Sequence, residues 1–416
     1  MPKLSTAMHD QHLRVYLRAV SIACMSVFAL WGCGNTGGHG DIARDENLSE
    51  FVVERELSID GTFGLVGGVA VDGRGRIYVA DARRQELLAF AADGGPLGTL
   101  GRRGRGPGEF QQLRGVAIGR GDTVLALDPG QQRVSAFAPD GRRAFDVRLP
   151  DRGRAGQPLL ALASGGFILP YHPRAAHPAS APPPLSLVSV PRGSAAGAAR
   201  LATLPGRTRL VAPIAGGQWS GEMPYAPQPV LRLGPGDRVY HGAGDSASIA
   251  ILDAAGRRIG AVRWAWTPSP VTGRDVRRLS ESLGQDGAAR VQRDAIEAAR
   301  RGGTLPAHRP AYSTFLVDDG GRVWVRPVGA DEYLVRRDGR MEYVRDGAGA
   351  AEWWVFDGDG RRVGTATLPR RVRLEAVRAG RAYGVETDDD GVQRVVRFRV
   401  REPGPAAQNP SSVAAR

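Results

Sequence analysis

A quartet of short apolar runs occurs twice in succession in the first third of the chain. Residues 68–72 (GVAVD), 77–81 (IYVAD), 86–91 (ELLAFA) and 96–100 (PLGTL) form the first quartet. Residues 115–118 (GVAI), 123–128 (TVLALD), 133–138 (RVSAFA) and 144–149 (AFDVRL) form the second. Gly, Asp or Pro separates each run from the next, and apolar residues recur at every second position. Four runs of this kind predict a four-stranded antiparallel sheet whose two faces are both buried against neighbouring copies. The 57 glycines and 29 prolines suit tight turns and leave little of the chain for long helices.

The quartet continues in weaker form. A third unit is traced through 159–163, 167–171, 185–190 and 199–204, and a fourth through 230–233, 238–241, 248–253 and 258–264. The fifth comprises 312–318, 322–326, 352–357 and 362–368, with its middle hairpin enlarged by 328–351. The sixth comprises 373–378, 382–386 and 393–400 and has no fourth run. Residues 51–59 (FVVERELSI) form a strand without a unit of its own. Pairing it with the sixth unit closes a ring and removes the edges an open array would expose. The expected fold is therefore all-β: a six-bladed propeller over 51–401, with a seven-blade division as the alternative. The first two units, with 104–110 (GRGPGEF) between them, resemble NHL-type repeats; the likeness is sharp over 67–150 and fades afterwards.

The N-terminal segment reads as an export signal. Lys3, Arg14 and Arg18 precede an apolar run at 19–31 that is too short to span a bilayer. It ends in Leu30-Trp31-Gly32-Cys33, which resembles a bacterial lipobox, and Gly34 follows. The resemblance implies lipidation of Cys33, a flexible tether over 34–50, and an exported protein held at a bacterial membrane, the outer one where there are two. Residues 402–416, rich in Pro, Ala and Ser, read as a disordered tail. Both cysteines, Cys24 and Cys33, lie in the N-terminal segment, so the expected propeller has neither disulfides nor thiolate metal sites.

Lys3 is the single lysine, and 55 arginines carry the rest of the net charge of +13. An arginine-rich composition accounts for that balance without a nucleic-acid partner, and no basic–aromatic cluster points to one. Propellers of the resembled kind bind ligands on the face where each second strand ends and each first strand begins. Asp81, Asp128, Tyr171, His172, Arg326 and Glu386 would lie there, with the loop 101–110. Two insertions fall on the same side. Residues 208–228 carry Trp219, Met223 and Tyr225. Residues 268–310 contain the helical stretch 273–301, whose amphipathic stripe breaks near 284–287; it is read as a helix pair over the mouth of the ring.

The ligand-binding candidates are Arg103, Arg105, Trp219, Tyr225, His308 and Arg326. Arg103 and Arg105, beside Arg102, could hold a carboxylate, phosphate or acidic glycan; a solvated turn is the competing reading. Asp81 and Asp128 recur at one repeat position, which favours turn-forming roles, and residues 388–391 (DDDG) read as a solvated turn. His172, His177, His241 and His308 are too scattered for an expected zinc site, and neither a metal nor another cofactor is expected. The chain lacks a Gly-x-Ser-x-Gly elbow, a P-loop and a dinucleotide fingerprint after a strand. The expected function is a non-catalytic, membrane-tethered binding module for a protein, peptide or carbohydrate. The alternative is a metal-dependent propeller enzyme akin to amidating lyases, gluconolactonase-like hydrolases or streptogramin lyases. Fold alone does not choose between them.

Overall fold

The computed structural model describes residues 48–173, 183–214, 217–337, 340–347 and 349–402. Local structure starts from a recurring turn, Asp-x-x-Gly, at Asp72, Asp253, Asp318, Asp357 and Asp388. In each, Oδ1 of the aspartate accepts the backbone N–H groups two and four residues on, at 2.8–3.1 Å. The glycine three residues on takes a left-handed φ of +78° to +86°, which costs a residue with Cβ far more.

These turns and their variants fold the chain into six sheets. The first contains Val66–Val71, Ile77–Asp81, Glu86–Phe90 and Pro96–Arg103. The second contains Gly115–Ile118, Val124–Asp128, Arg133–Phe137 and Arg143–Arg148. The third has Phe167–His172, Pro184–Val190 and Ala199–Pro205, with an innermost strand of only two residues, Leu160–Ala161. The fourth is Val230–Gly234, Arg238–Gly242, Ser248–Leu252 and Arg258–Arg263; the fifth is Tyr312–Val317, Val323–Pro327, Ala350–Phe356 and Arg362–Pro369. The sixth has Val372–Arg378, Arg381–Thr387 and Gln393–Arg401, and its outer strand comes from Ser49–Phe63.

That closing strand is longer than the sequence pattern predicts, because it serves two sheets. Ser49, Glu50 and Phe51 run parallel to Gly364, Thr365 and Ala366 of the fifth sheet. From Val52, opposite Arg401, the strand turns to the sixth and runs antiparallel to it as far as Phe63, opposite Gln393. The innermost strands then neighbour one another all the way round, sixth to first included.

Period-two alternation builds the core between sheets. In the second strand of the first sheet, Ile77 and Val79 pack toward the sixth sheet with Tyr383 and Val385, while Tyr78 and Ala80 pack toward the second with Val124 and Phe137. Leu125 and Leu127 likewise face Phe167 and Leu169 of the third sheet. Six such clusters, one between each pair of neighbours, hold the ring, and burying apolar area between them is its main stabilising term.

Polar side chains latch each sheet to the next. Gln85 Oε1 accepts from Leu113 N–H at 2.5 Å, first sheet to second, and Gln393 Oε1 accepts from Val66 N–H at 2.6 Å, sixth to first. Asp81, fully buried, accepts the N–H groups of Gly64, Leu65, Arg83 and Arg84. Asp128 does the same for Gln111, Gln112 and Gln131. Both carboxylates are buried, and their bonds go to ending a strand and fixing the entry to the sheet.

Candidate functional site

Three insertions meet on the face where second strands end. Before the fourth sheet comes a hairpin, Arg209–Ile214 with Gly217–Glu222. Before the fifth come two helices, α1 (Gly273–Ser282) and α2 (Gly287–Arg301). Within the fifth sheet, a hairpin of Tyr333–Arg337 and Arg340–Val344 separates the second strand from the third. The helix break follows from local chemistry. Thr272 caps α1 in a capping box with Asp275, Leu283 ends it in an extended conformation, and Asp286 caps α2 through Ala289 N–H.

The insertions share a core separate from those of the ring. Val276, Leu279 and Leu283 of α1 and Ala295, Ile296 and Ala299 of α2 pack with Leu210, Met223, Tyr225 and Leu334. Arg309, at the end of the insertion that carries the helices, ties it to the insertion of the fifth sheet. Its guanidinium pairs with buried Asp275 at 2.8 Å, donates from Nε to Glu332 O at 2.7 Å and also reaches Pro270 O. Tyr225, at a left-handed φ of +60°, donates its hydroxyl to Asp275 O and accepts from Leu334 N–H, so it touches all three insertions.

Beneath the cap lies a recess of about 410 Å³, floored by the innermost strands of the fourth, fifth and sixth sheets. Its volume falls within the range of small-molecule sites. Seven arginines and three glutamates line it, with Met223, Met341, Tyr343, Trp353 and Leu374 supplying apolar wall. Arg326 pairs with buried Glu332 at 2.5 Å, and Arg370 reaches the same carboxylate at 3.5 Å. Arg337 pairs with Glu342 at 2.8 Å.

Of the six binding candidates read from sequence, Tyr225 and Arg326 line this recess. Trp219 packs into the cap's core, and His308 is exposed, bridged to Pro270. Arg103 and Arg105 are exposed on the loop between the first and second sheets and do not reach the recess. Arg103 donates to Arg83 O at 2.7 Å, and Glu109, Gln131 and Arg133 tie down the loop's own backbone. His172 and His241 are held neutral, their pKa values lowered first by burial; His177 and Cys33 lie outside the described residues. Among the described residues, no three His, Cys, Asp or Glu come together as metal ligands. Arg232 and Arg373, on the recess floor, were not singled out from sequence. Their one signal is a charged residue inside an apolar innermost strand (VLRLG, VRLEAVR).

Residues 63–145 match the model of a family of domains of unknown function, DUF5128, described as a 6-bladed beta-propeller. The chain is a six-bladed β-propeller. The sixth blade, completed by the strand at 49–63, rules out the seven-blade division. Solved structures are similar to the chain at low identity. A Bacteroides fragilis protein described as exported is 12% identical, with 85% of this chain and 96% of that one covered and a TM-score of 0.49. A gluconolactonase from Xanthomonas campestris is 15% identical over 84% and 89%, at 0.44. The calcium-binding protein regucalcin from Agrobacterium tumefaciens is 13% identical over 86% and 98%, at 0.42. No curated protein sequence matches the chain.

Proposed function

We propose that the chain is an exported, membrane-tethered binding module that captures its ligand in the recess under the cap and does no chemistry on it. One observation carries this reading: three insertions, far apart in sequence, converge in one core that roofs one cavity. Rigid blades below and a bonded cap above give a preorganised site, which favours affinity. The volume suits a small molecule, or the end of a peptide or glycan chain. The tether reading rests on Leu30 to Cys33. No helix among the described residues is long and apolar enough to cross a membrane.

The alternative, a metal-dependent enzyme, draws support from resemblance alone. A divalent cation in this recess would face arginines, and these repel it. Two measurements test the proposal. Protein dialysed against a weak chelator should carry no stoichiometric divalent metal. After incubation with a cell-envelope metabolite extract, whatever it retains should come off chemically unchanged on denaturation. A retained metal together with an altered ligand would replace the binding reading with the enzymatic one. For the tether, the Cys33→Ser protein should move from the membrane to the soluble fraction; continued membrane retention would refute lipidation at Cys33.

A further inference from the structure

The floor of the recess holds a pair of arginines that the protein does not fully neutralise. Arg232, on the innermost strand of the fourth blade, donates Nη1 to Leu231 O at 2.9 Å and Nη2 to Thr314 Oγ1 at 3.5 Å. No carboxylate among the described residues lies within ion-pair distance of it. The surface it leaves open faces the cavity from deep in the ring, and burial lowers its pKa to about 10. Arg373, on the innermost strand of the sixth blade, pairs with Glu375 and donates to Val66 O at 3.0 Å. Burial, then repulsion from Arg340 and Arg232, lowers its pKa to about 9. Both guanidiniums stay protonated at neutral pH.

Charges partly withdrawn from water are ordinarily paired, and a guanidinium offers five donors in a planar fork matched to carboxylate and phosphate oxygens; Arg232 and Arg373 are both half-buried in the recess. Here the two forks stand on the innermost strands either side of the fifth blade, only Arg373 has a carboxylate partner, and Arg340 and Arg232 both repel it. We infer that the recess binds a small organic anion, its carboxylate or phosphate held between Arg232 and Arg373 and its apolar body against Met341, Tyr343 and Trp353. The inference rests on reading the recess as the ligand site and adds the ligand's chemical class. It moves anion binding away from Arg103 and Arg105, which stand on the solvated loop.

The test uses benzoate, phenyl phosphate and neutral benzamide as probes at constant ionic strength, followed by calorimetry and thermal unfolding. Both anions should bind saturably and raise Tm, with benzamide weaker by about tenfold or more. Arg232→Met should lose about tenfold in benzoate affinity, and Arg373→Gln should do the same; Arg103→Ala should lose nothing. Without probe, Arg232→Met should unfold at or above the wild-type temperature, because a half-buried charge with no carboxylate partner has gone. A lower Tm for that variant with benzoate binding intact would make Arg232 a structural group and overturn the inference. Benzamide binding as tightly as benzoate would overturn the anionic class and leave the recess as the ligand site. Failure of both anions to bind would also overturn it, and the retained-ligand experiment would then decide separately whether the recess binds anything.

Discussion

Protein lacking residues 1–59 is expected not to form a stable monomeric ring. The strand at 49–63 is the sixth blade's outer strand and its strap to the fifth, so the deletion strips both. Phe51, buried edge-on against Trp324, and Ile59 leave two inter-blade cores. Truncating a buried Phe alone costs about 3–5 kcal/mol and a buried Ile about 2–5. Together they approach the whole stability of a typical domain, about 5–15 kcal/mol. Arg381, Arg397 and Arg399 also lose Glu56, which they meet at 3.0, 3.1 and 2.6 Å. The exposed edge of 393–401 then invites a second chain to pair. Size-exclusion chromatography and urea unfolding should show aggregate or an early, broad transition. A monomer with the full-length midpoint would contradict the closure. The milder Phe51→Ala variant should lower stability by about 3–5 kcal/mol.

Arg309→Met should unseat the cap while leaving the blades folded. The Arg309–Asp275 pair is buried, with side chains 7% and 8% exposed. Removing Arg309 leaves the buried Asp275 carboxylate without its counter-charge, with only the capping-box bonds from Thr272, at a cost of about 3–5 kcal/mol. The penalty falls on the cap because its core is separate from the ring's. Limited proteolysis should therefore cut within 273–301 of the variant and spare the blade strands, and hydrogen exchange should rise there first. Adding Asp275→Asn to Arg309→Met should recover part of the loss, as the stranded charge is gone. Uniform destabilisation of blades and cap would mean that the cap has no independent stability.

Most of the ring was legible because each blade repeats one local instruction. Period-two runs such as IYVAD and TVLALD decide which residues face which neighbour, and Asp-x-x-Gly turns reverse the chain between runs. The innermost strand of the third blade was the weakest trace, and in the structure it is two residues long. The break at 284–287 was legible because Asp286 is a local cap. The recess was largely not. Its walls come from stretches near 225, 340 and 373, and nothing local in any of them announces the other two. In a chain with 55 arginines, Arg232 and Arg373 do not stand out by type. Arg103 and Arg105 drew attention by crowding into one loop, and crowding along the sequence carries no information about which arginines line a cavity.

The seam between the strand at 49–63 and the strand at 393–401 also fixes an order of events. Val52 leaves the ribosome, or any export channel, long before Arg401, the residue opposite it. The first strand must therefore wait for the last, and the sixth blade cannot assemble while synthesis or translocation is under way. Contacts this distant along the chain are slow to form. Until they do, the strand at 393–401 lacks its outer partner and the ring stays unclosed.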